Sequence, residues 1–204
     1  MYRVKEESNH TIIIDKSKFI CYVNRVFSEE EAKEYLLQIK KLHPNATHHC
    51  YAFLIGEHDE IQRSNDNGEP SGTAGVPILE CLRKNDMNDT IAIVVRYFGG
   101  IKLGAGGLIR AYSKSTSEAL KHAVITQKCD TFRFQITFDY SFIGKLDYYI
   151  SQNNIIVLDK QYEEKVTYVL RSTDDFTKDI DELSNGTFPL ELITKEVVEI
   201  EKKD

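Results

Sequence analysis

No stretch of the 204-residue chain reaches the roughly 18 consecutive apolar residues that a bilayer span requires, and no apolar segment follows the N-terminal methionine. Membrane insertion and secretion are not expected, and a cytoplasmic location is. The four cysteines (Cys21, Cys50, Cys81, Cys129) lie far apart and form no C-x-x-C pair. That spacing suits reduced, mostly buried thiols better than a disulfide framework or a zinc ribbon, and neither a metal nor a cofactor is expected. A P-loop string and a clean G-x-G-x-x-G fingerprint are both missing. Acidic side chains are missing from one long window, for none stands between Thr90 and Ser117.

What that window does contain organises the rest of the chain. Ile91-Ala92-Ile93-Val94-Val95 is a continuous apolar run that predicts a buried strand. Glycines follow at Gly99, Gly100, Gly104, Gly106 and Gly107, and from Leu108 the apolar spacing becomes helical. Strand, glycine loop and helix together let backbone N–H groups approach an anion at a helix N-terminus. Four basic residues accompany them: Arg96, Lys102, Arg110 and Lys114. Arg110 and Lys114 are four apart and so share one helix face. The alternative role for the glycines is turn geometry and close packing. Tyr97, Phe98 and Tyr112 interleave with the cations and are read either as base-stacking platforms or as core.

The net charge of −6 is unevenly spread. Residues 1–130 carry 17 Lys+Arg against 17 Asp+Glu, whereas residues 131–204 carry 9 against 15. With the change of texture after Cys129, this predicts an α+β protein of two domains, 1–130 and 131–204. The junction near residues 128–131 lacks Gly and Pro, which argues against a flexible tether. In the first domain the sequence predicts an opening hairpin over 2–7 and 11–15, then a strand over 18–27. A capping box at Ser28-Glu29-Glu30-Glu31 starts a helix that runs to about Leu42, and a strand over 48–55 follows. The second domain reads β-α-β-β-α-β, the ferredoxin-like split βαβ.

A second loop, Ser64–Ile78, is dense in Gly, Ser, Thr and acid, and ends at another helix N-terminus. Its candidate residues are Asp66, Gly68, Glu69, Ser71 and Thr73, with His48 from the preceding strand. They support a rival reading as an enzyme, in which His48, His49, Asp66 and Glu69 form an acid/base or divalent-metal cluster facing a phosphate loop. Successive strand residues point to opposite faces, so His48 and His49 cannot both serve one site. Cys50 shares the His48 face, where a Cys/His nucleophile pair is conceivable.

The segments ATHHCYAFLIG (46–56), NGEPSGTAGVPIL (67–79) and VVRYFGGIKLGAGGLIRAY (94–112) closely resemble the motifs of the YigZ/IMPACT family. The chain departs from the family pattern at Asn67, where members often carry an acid, and at Val76, where they often carry a base. The resemblance implies an N-terminal IMPACT domain with a ribosomal-protein-like mixed sheet and helices on one face. It also implies a C-terminal ferredoxin-like βαββαβ domain, the pair being similar to the last domains of elongation factor G. Contact with RNA or the ribosome follows as an expectation. The eukaryotic members regulate translation under starvation through a helical-repeat protein, so a protein partner in translation control is a further implied role, and with it an adaptor that binds no nucleic acid.

Overall fold

The computed structural model describes residues 1–202 and divides them into two compact units. Unit 1 comprises Met1–Gln127 together with Glu201 and Lys202, and unit 2 comprises Lys128–Ile200. The division lies three residues before the boundary drawn from the sequence, and the last described residues return to unit 1. There the Lys202 N–H donates to the Ile125 carbonyl at 2.8 Å.

Unit 1 contains β1 (Tyr2–Val4), β2 (Ser8–Ile14), β3 (Ser17–Arg25), α1 (Glu29–Leu42), β4 (His48–Ile55), β5 (Ile61–Asn65), α2 (Gly75–Lys84), β6 (Thr90–Tyr97) and α3 (Gly104–His122). Five strands form one sheet in the order β2-β3-β6-β4-β5, and every neighbouring pair is antiparallel. The expected mixed sheet with helices on one face is therefore corrected. Helices cover both faces. On one side Ile20, Tyr22, Ile91, Ile93 and Val95 pack with Tyr35 and Ile39 of α1. On the other, Phe19, Cys21, Cys50, Ala92 and Val94 pack with Ile78 and Leu82 of α2 and with Leu108, Tyr112 and Leu120 of α3. A central strand buried on both faces needs no polar alternation, which is why Ile91–Val95 is apolar throughout.

The opening hairpin also differs. Tyr2–Val4 pairs with Ile125–Gln127, and the hairpin is made by β2 and β3 about Asp15-Lys16. Both turn residues are left-handed (φ 44° and 62°), the two-residue turn whose twist matches its strands. α1 begins as expected: the Ser28 side chain accepts from the Glu31 N–H, and Glu31 Oε2 accepts from the Phe27 N–H. Strand β5 is polar and lies at the sheet edge, where no apolar alternation marks it in the sequence.

Strand β7 (Ile125–Phe138) spans the division between the units, and α4 (Ile143–Gln152), β8 (Ile156–Tyr162), β9 (Val166–Ser172), α5 (Thr177–Ser184) and β10 (Leu190–Glu201) follow it. The sheet order β10-β7-β9-β8 is that of a ferredoxin-like domain. Phe134, Ile136 and Phe138 alternate onto one face and pack with Phe142, Leu146, Tyr168, Leu170, Phe176 and Ile180.

Gly99 joins the β2–β3 turn to the loop after β6. Its N–H donates to Ser17 Oγ, and a Cβ placed there would lie 2.0 Å from the Lys16 carbonyl carbon and 2.4 Å from the Ser17 nitrogen. Both are backbone atoms that cannot rotate away. Gly99→Ala is expected to cost about 1–3 kcal/mol in chemical unfolding. Gly106→Ala, where a Cβ meets only the mobile Arg110 guanidinium at 3.5 Å, is expected to be neutral or stabilising by up to about 1 kcal/mol. Equal stabilities for the two variants would refute the packing role of Gly99.

Candidate functional site

The loop after β6 ends at the N-terminus of α3, and no side chain among the described residues caps that end. Leu103 provides no side-chain cap, and no acid stands in the first turn. Gly104 is left-handed (φ 68°) with open space where a Cβ would be, and Gly104, Ala105 and Gly106 are exposed. The first N–H groups of a helix lack intrahelical partners and carry its positive dipole end. Lys102, Arg110 and Lys114 are exposed, and no ion pair ties any of them among the described residues. Gly100, left-handed at φ 86°, is likewise open. Gly107 is the tighter position, because its Cβ would meet Leu103 Cβ at 3.0 Å.

Arg96 is not part of this surface. It is 4% exposed, pairs through Nη1 with Glu69 Oε1 at 2.5 Å, and lies with its guanidinium 5.3 Å from the Phe19 ring centre and 5.4 Å from that of Phe98. Its buried Nε has no partner. The expected patch of four cations is therefore three. The aromatic residues sort differently too. Phe98 is 47% exposed at the mouth of the loop, whereas Tyr112 is fully buried. Tyr97 is half-buried, and its hydroxyl lies 2.9 Å from His43 Nδ1.

The polar loop turns inward. Asn67-Gly68 forms a tight turn with both residues left-handed, closed by the Glu69 N–H donating to the Asp66 carbonyl. The Asp66 carboxylate accepts three backbone N–H groups: Gly72 on Oδ2 at 2.8 Å, and Ala74 and Gly75 on Oδ1 at 2.9 and 2.8 Å. It is the anion at the N-terminus of α2. Burial works against its ionisation, but the donors from Gly72, Gly75 and Ala74 outweigh burial and hold it below the usual carboxylate range. Glu69, its side chain 4% exposed, accepts from both Arg96 and the Tyr112 hydroxyl, the latter at 2.8 Å. Thr73 Oγ1 donates to the Pro70 carbonyl, and Ser71 is exposed with no such bond.

His48 Nδ1 lies 2.9 Å from the Asn67 carbonyl, which makes it the N–H side of the ring, and Nε2 stands 3.8 Å from Glu69 Oε2. A Cβ on Gly68 would meet this imidazole at 3.3 Å. His49 turns to the other face, 3.1 Å from the His43 carbonyl, and burial lowers its pKa. Cys50 does share the His48 side, but its thiol donates to the Asp66 carbonyl at 2.9 Å, and burial pushes it up to about 12. It stays protonated at neutral pH, so the Cys/His nucleophile pair does not form. Asp66 and Glu69, needed for a metal or acid/base cluster, are both engaged by protein donors. The sequence reading missed Tyr112 and Ser17 as polar members of this network; the placement of Tyr112 on the apolar stripe of α3 was the available signal.

A sheet covered by helices on both faces, with a glycine loop at an open helix end, followed by a ferredoxin-like domain, defines a class that family comparison makes specific. The Impact N-terminal domain matches residues 15–120, and a domain of unknown function (DUF1949) matches residues 136–187. The chain belongs to the IMPACT family. It is 49% identical to the IMPACT family member YvyE of Bacillus subtilis, over 91% of this chain and 87% of that one. With the family member YigZ of Escherichia coli it shares 30% identity, over 87% of this chain and 90% of that protein. A crystal structure of a hypothetical protein covers 96% of the chain, and is itself covered to 98%, at a TM-score of 0.60 and 27% identity. No helix among the described residues is long and apolar enough to cross a membrane.

Two substitutions test the inward network. Asp66→Asn is expected to lower stability at neutral pH by about 1–3 kcal/mol. Folding depresses this carboxyl's pKa, so its contribution is complete above about pH 4 and is lost as the pH falls through the folded value. The unfolding curves of parent and variant should converge in strong acid; a difference independent of pH would exclude the capping role. Glu69→Ala leaves the Arg96 charge buried and unpaired and is expected to cost about 3–5 kcal/mol. The double variant Glu69→Leu with Arg96→Met should cost much less than the two single changes added together.

Proposed function

We propose that this protein binds RNA, free or in the ribosome, as part of translation control, and that the exposed N-terminus of α3 is its phosphate contact. The observation that carries the reading is the open, glycine-lined helix end flanked by Lys102, Arg110 and Lys114 inside a window free of acid. Contacts to phosphate position a nucleic acid without reading its sequence. The exposed Phe98 ring beside them supplies a stacking surface for an unpaired base. Translation as the setting rests on the resemblance to the IMPACT family, whose eukaryotic members regulate it.

A second reading, a protein adaptor in the same process, is favoured by the apolar side chains that accompany the cations. Ile101 and Ile109 are exposed along with Phe98, a mixture that also suits a protein interface. Salt separates the two. RNA held by three phosphate contacts should lose affinity with a log–log slope of about −2 to −3, whereas an apolar interface should respond little.

Fluorescence anisotropy with a labelled single-stranded RNA and a structured RNA, and co-sedimentation with ribosomes, should each be run from low to high potassium chloride. Arg110→Glu with Lys114→Glu is expected to abolish binding while leaving the circular dichroism spectrum unchanged. Affinity that survives this charge reversal would refute the phosphate contact.

A further inference from the structure

We propose that His10, Glu118 and His122 form a binding site for a divalent transition metal of the zinc class, in unit 1 and apart from the anion-binding end of α3. One ligating atom from each of the three lies within 4.8 Å of the other two. Zinc–nitrogen bonds of about 2.0–2.1 Å place tetrahedral donors roughly 3.3 Å apart, so a bound ion would draw the three side chains closer together. Two elements supply the ligands. His10 sits on β2 among the residues that turn toward the sheet face covered by α3, in line with Ile12 and Ile14. Glu118 and His122 are four apart on α3 and so project from one face of it.

The ring nitrogens of His122 are already sorted for ligation. His122 Nδ1 lies 2.7 Å from the carbonyl oxygen of Glu118, an acceptor, so Nδ1 carries the proton and Nε2 presents its lone pair. A backbone carbonyl in this position is a common outer-shell partner of a metal-bound imidazole. The His10 and His122 rings stack with centres 4.0 Å apart and planes 17° from parallel. The stacking brings the two rings side by side, and a shared cation would require them to tilt toward each other. The site also lies in the last turn of α3, whose unpaired carbonyls carry the negative end of the helix dipole.

Two imidazoles and one carboxylate select zinc and its neighbours over magnesium or calcium, which prefer oxygen ligands throughout. Lys121 holds Glu118 Oε1 at 2.9 Å in the same turn. An exposed pair of this kind contributes little, and the metal would displace it. Three protein ligands leave one position for water, and occupancy would clip the edge strand β2 to α3.

The full chain, stripped with chelator, should be titrated with zinc by calorimetry in excess magnesium, with cobalt(II) absorption reporting the coordination geometry. One equivalent is expected to bind, and saturating zinc should raise Tm by several degrees. His10→Gln and His122→Gln should each weaken binding by roughly 100-fold, at least the cost of losing an outer-shell partner, and should abolish the Tm rise. His58→Gln, an exposed histidine elsewhere, should bind as the parent does. Absence of zinc binding, or binding that survives in the double variant His10→Gln with His122→Gln, would overturn the site. Should a variant fail to fold, the imidazole NMR resonances of the parent decide: those of His10 and His122 must shift on adding zinc, and unshifted resonances overturn the proposal.

Discussion

The buried carboxylate of Glu69 is the contact on which the rest of unit 1 is hung. Arg96 lies on the central strand, where a cation needs a counter-charge nearby because its hydration is gone. Glu69 supplies that charge and accepts the Tyr112 hydroxyl as well, so one side chain joins the polar loop to β6 and to α3. With Glu69 fixed, the Asn67-Gly68 turn is fixed, and Asp66 reaches the start of α2. The guanidinium also rests against Phe19 and Phe98, which sets the Phe98 ring at the mouth of the glycine loop.

Two of the three helix N-termini of this unit illustrate opposite uses of one physical resource. Both α2 and α3 begin after glycine-rich loops, and both offer unpaired N–H groups. At α2 the chain brings its own anion, for Asp66 accepts the N–H of Gly75, the first helical residue, together with those of Ala74 and Gly72 before it. At α3 it brings none, and the surrounding charges are three exposed cations. A helix end satisfied from within is part of the scaffold, and one left open to solvent is available to a ligand. That asymmetry gives the anion-binding reading its support at α3 and withdraws it from α2.

Much of the fold could be read in the sequence because its signals are local. The alternation of Phe132–Phe138, the unbroken apolar run of β6 and the capping box of α1 each depend on neighbours a few residues away. The helices on both faces were less legible, since a doubly buried strand shows that both faces are covered but not by which elements. In the site, Arg96 and Arg110 are the same residue type in the same acid-free window, and only the fold shows one inside and one outside. Asp66 and Glu69 present a comparable difficulty. A carboxylate that caps a helix, one that neutralises a buried arginine and one that holds a metal look alike in a string of letters. His10 lies 108 residues before Glu118, and no periodicity links positions so far apart.

The crossing of β7 between the units carries a consequence for the nascent chain. Tyr2 bonds to Asp86 and Asn88, but the ladder of Tyr2–Val4 forms only beside Ile125–Gln127, so that strand stays without its sheet neighbour until residues more than a hundred positions later have been translated. The last described residues then come back to the same strand, with Lys202 on Ile125 and Lys5 on Glu201. Unit 2 is in effect an insertion between two pieces of unit 1. A polypeptide cut short anywhere within it would leave unit 1 without Glu201 and Lys202, and so without their bonds to Lys5 and Ile125.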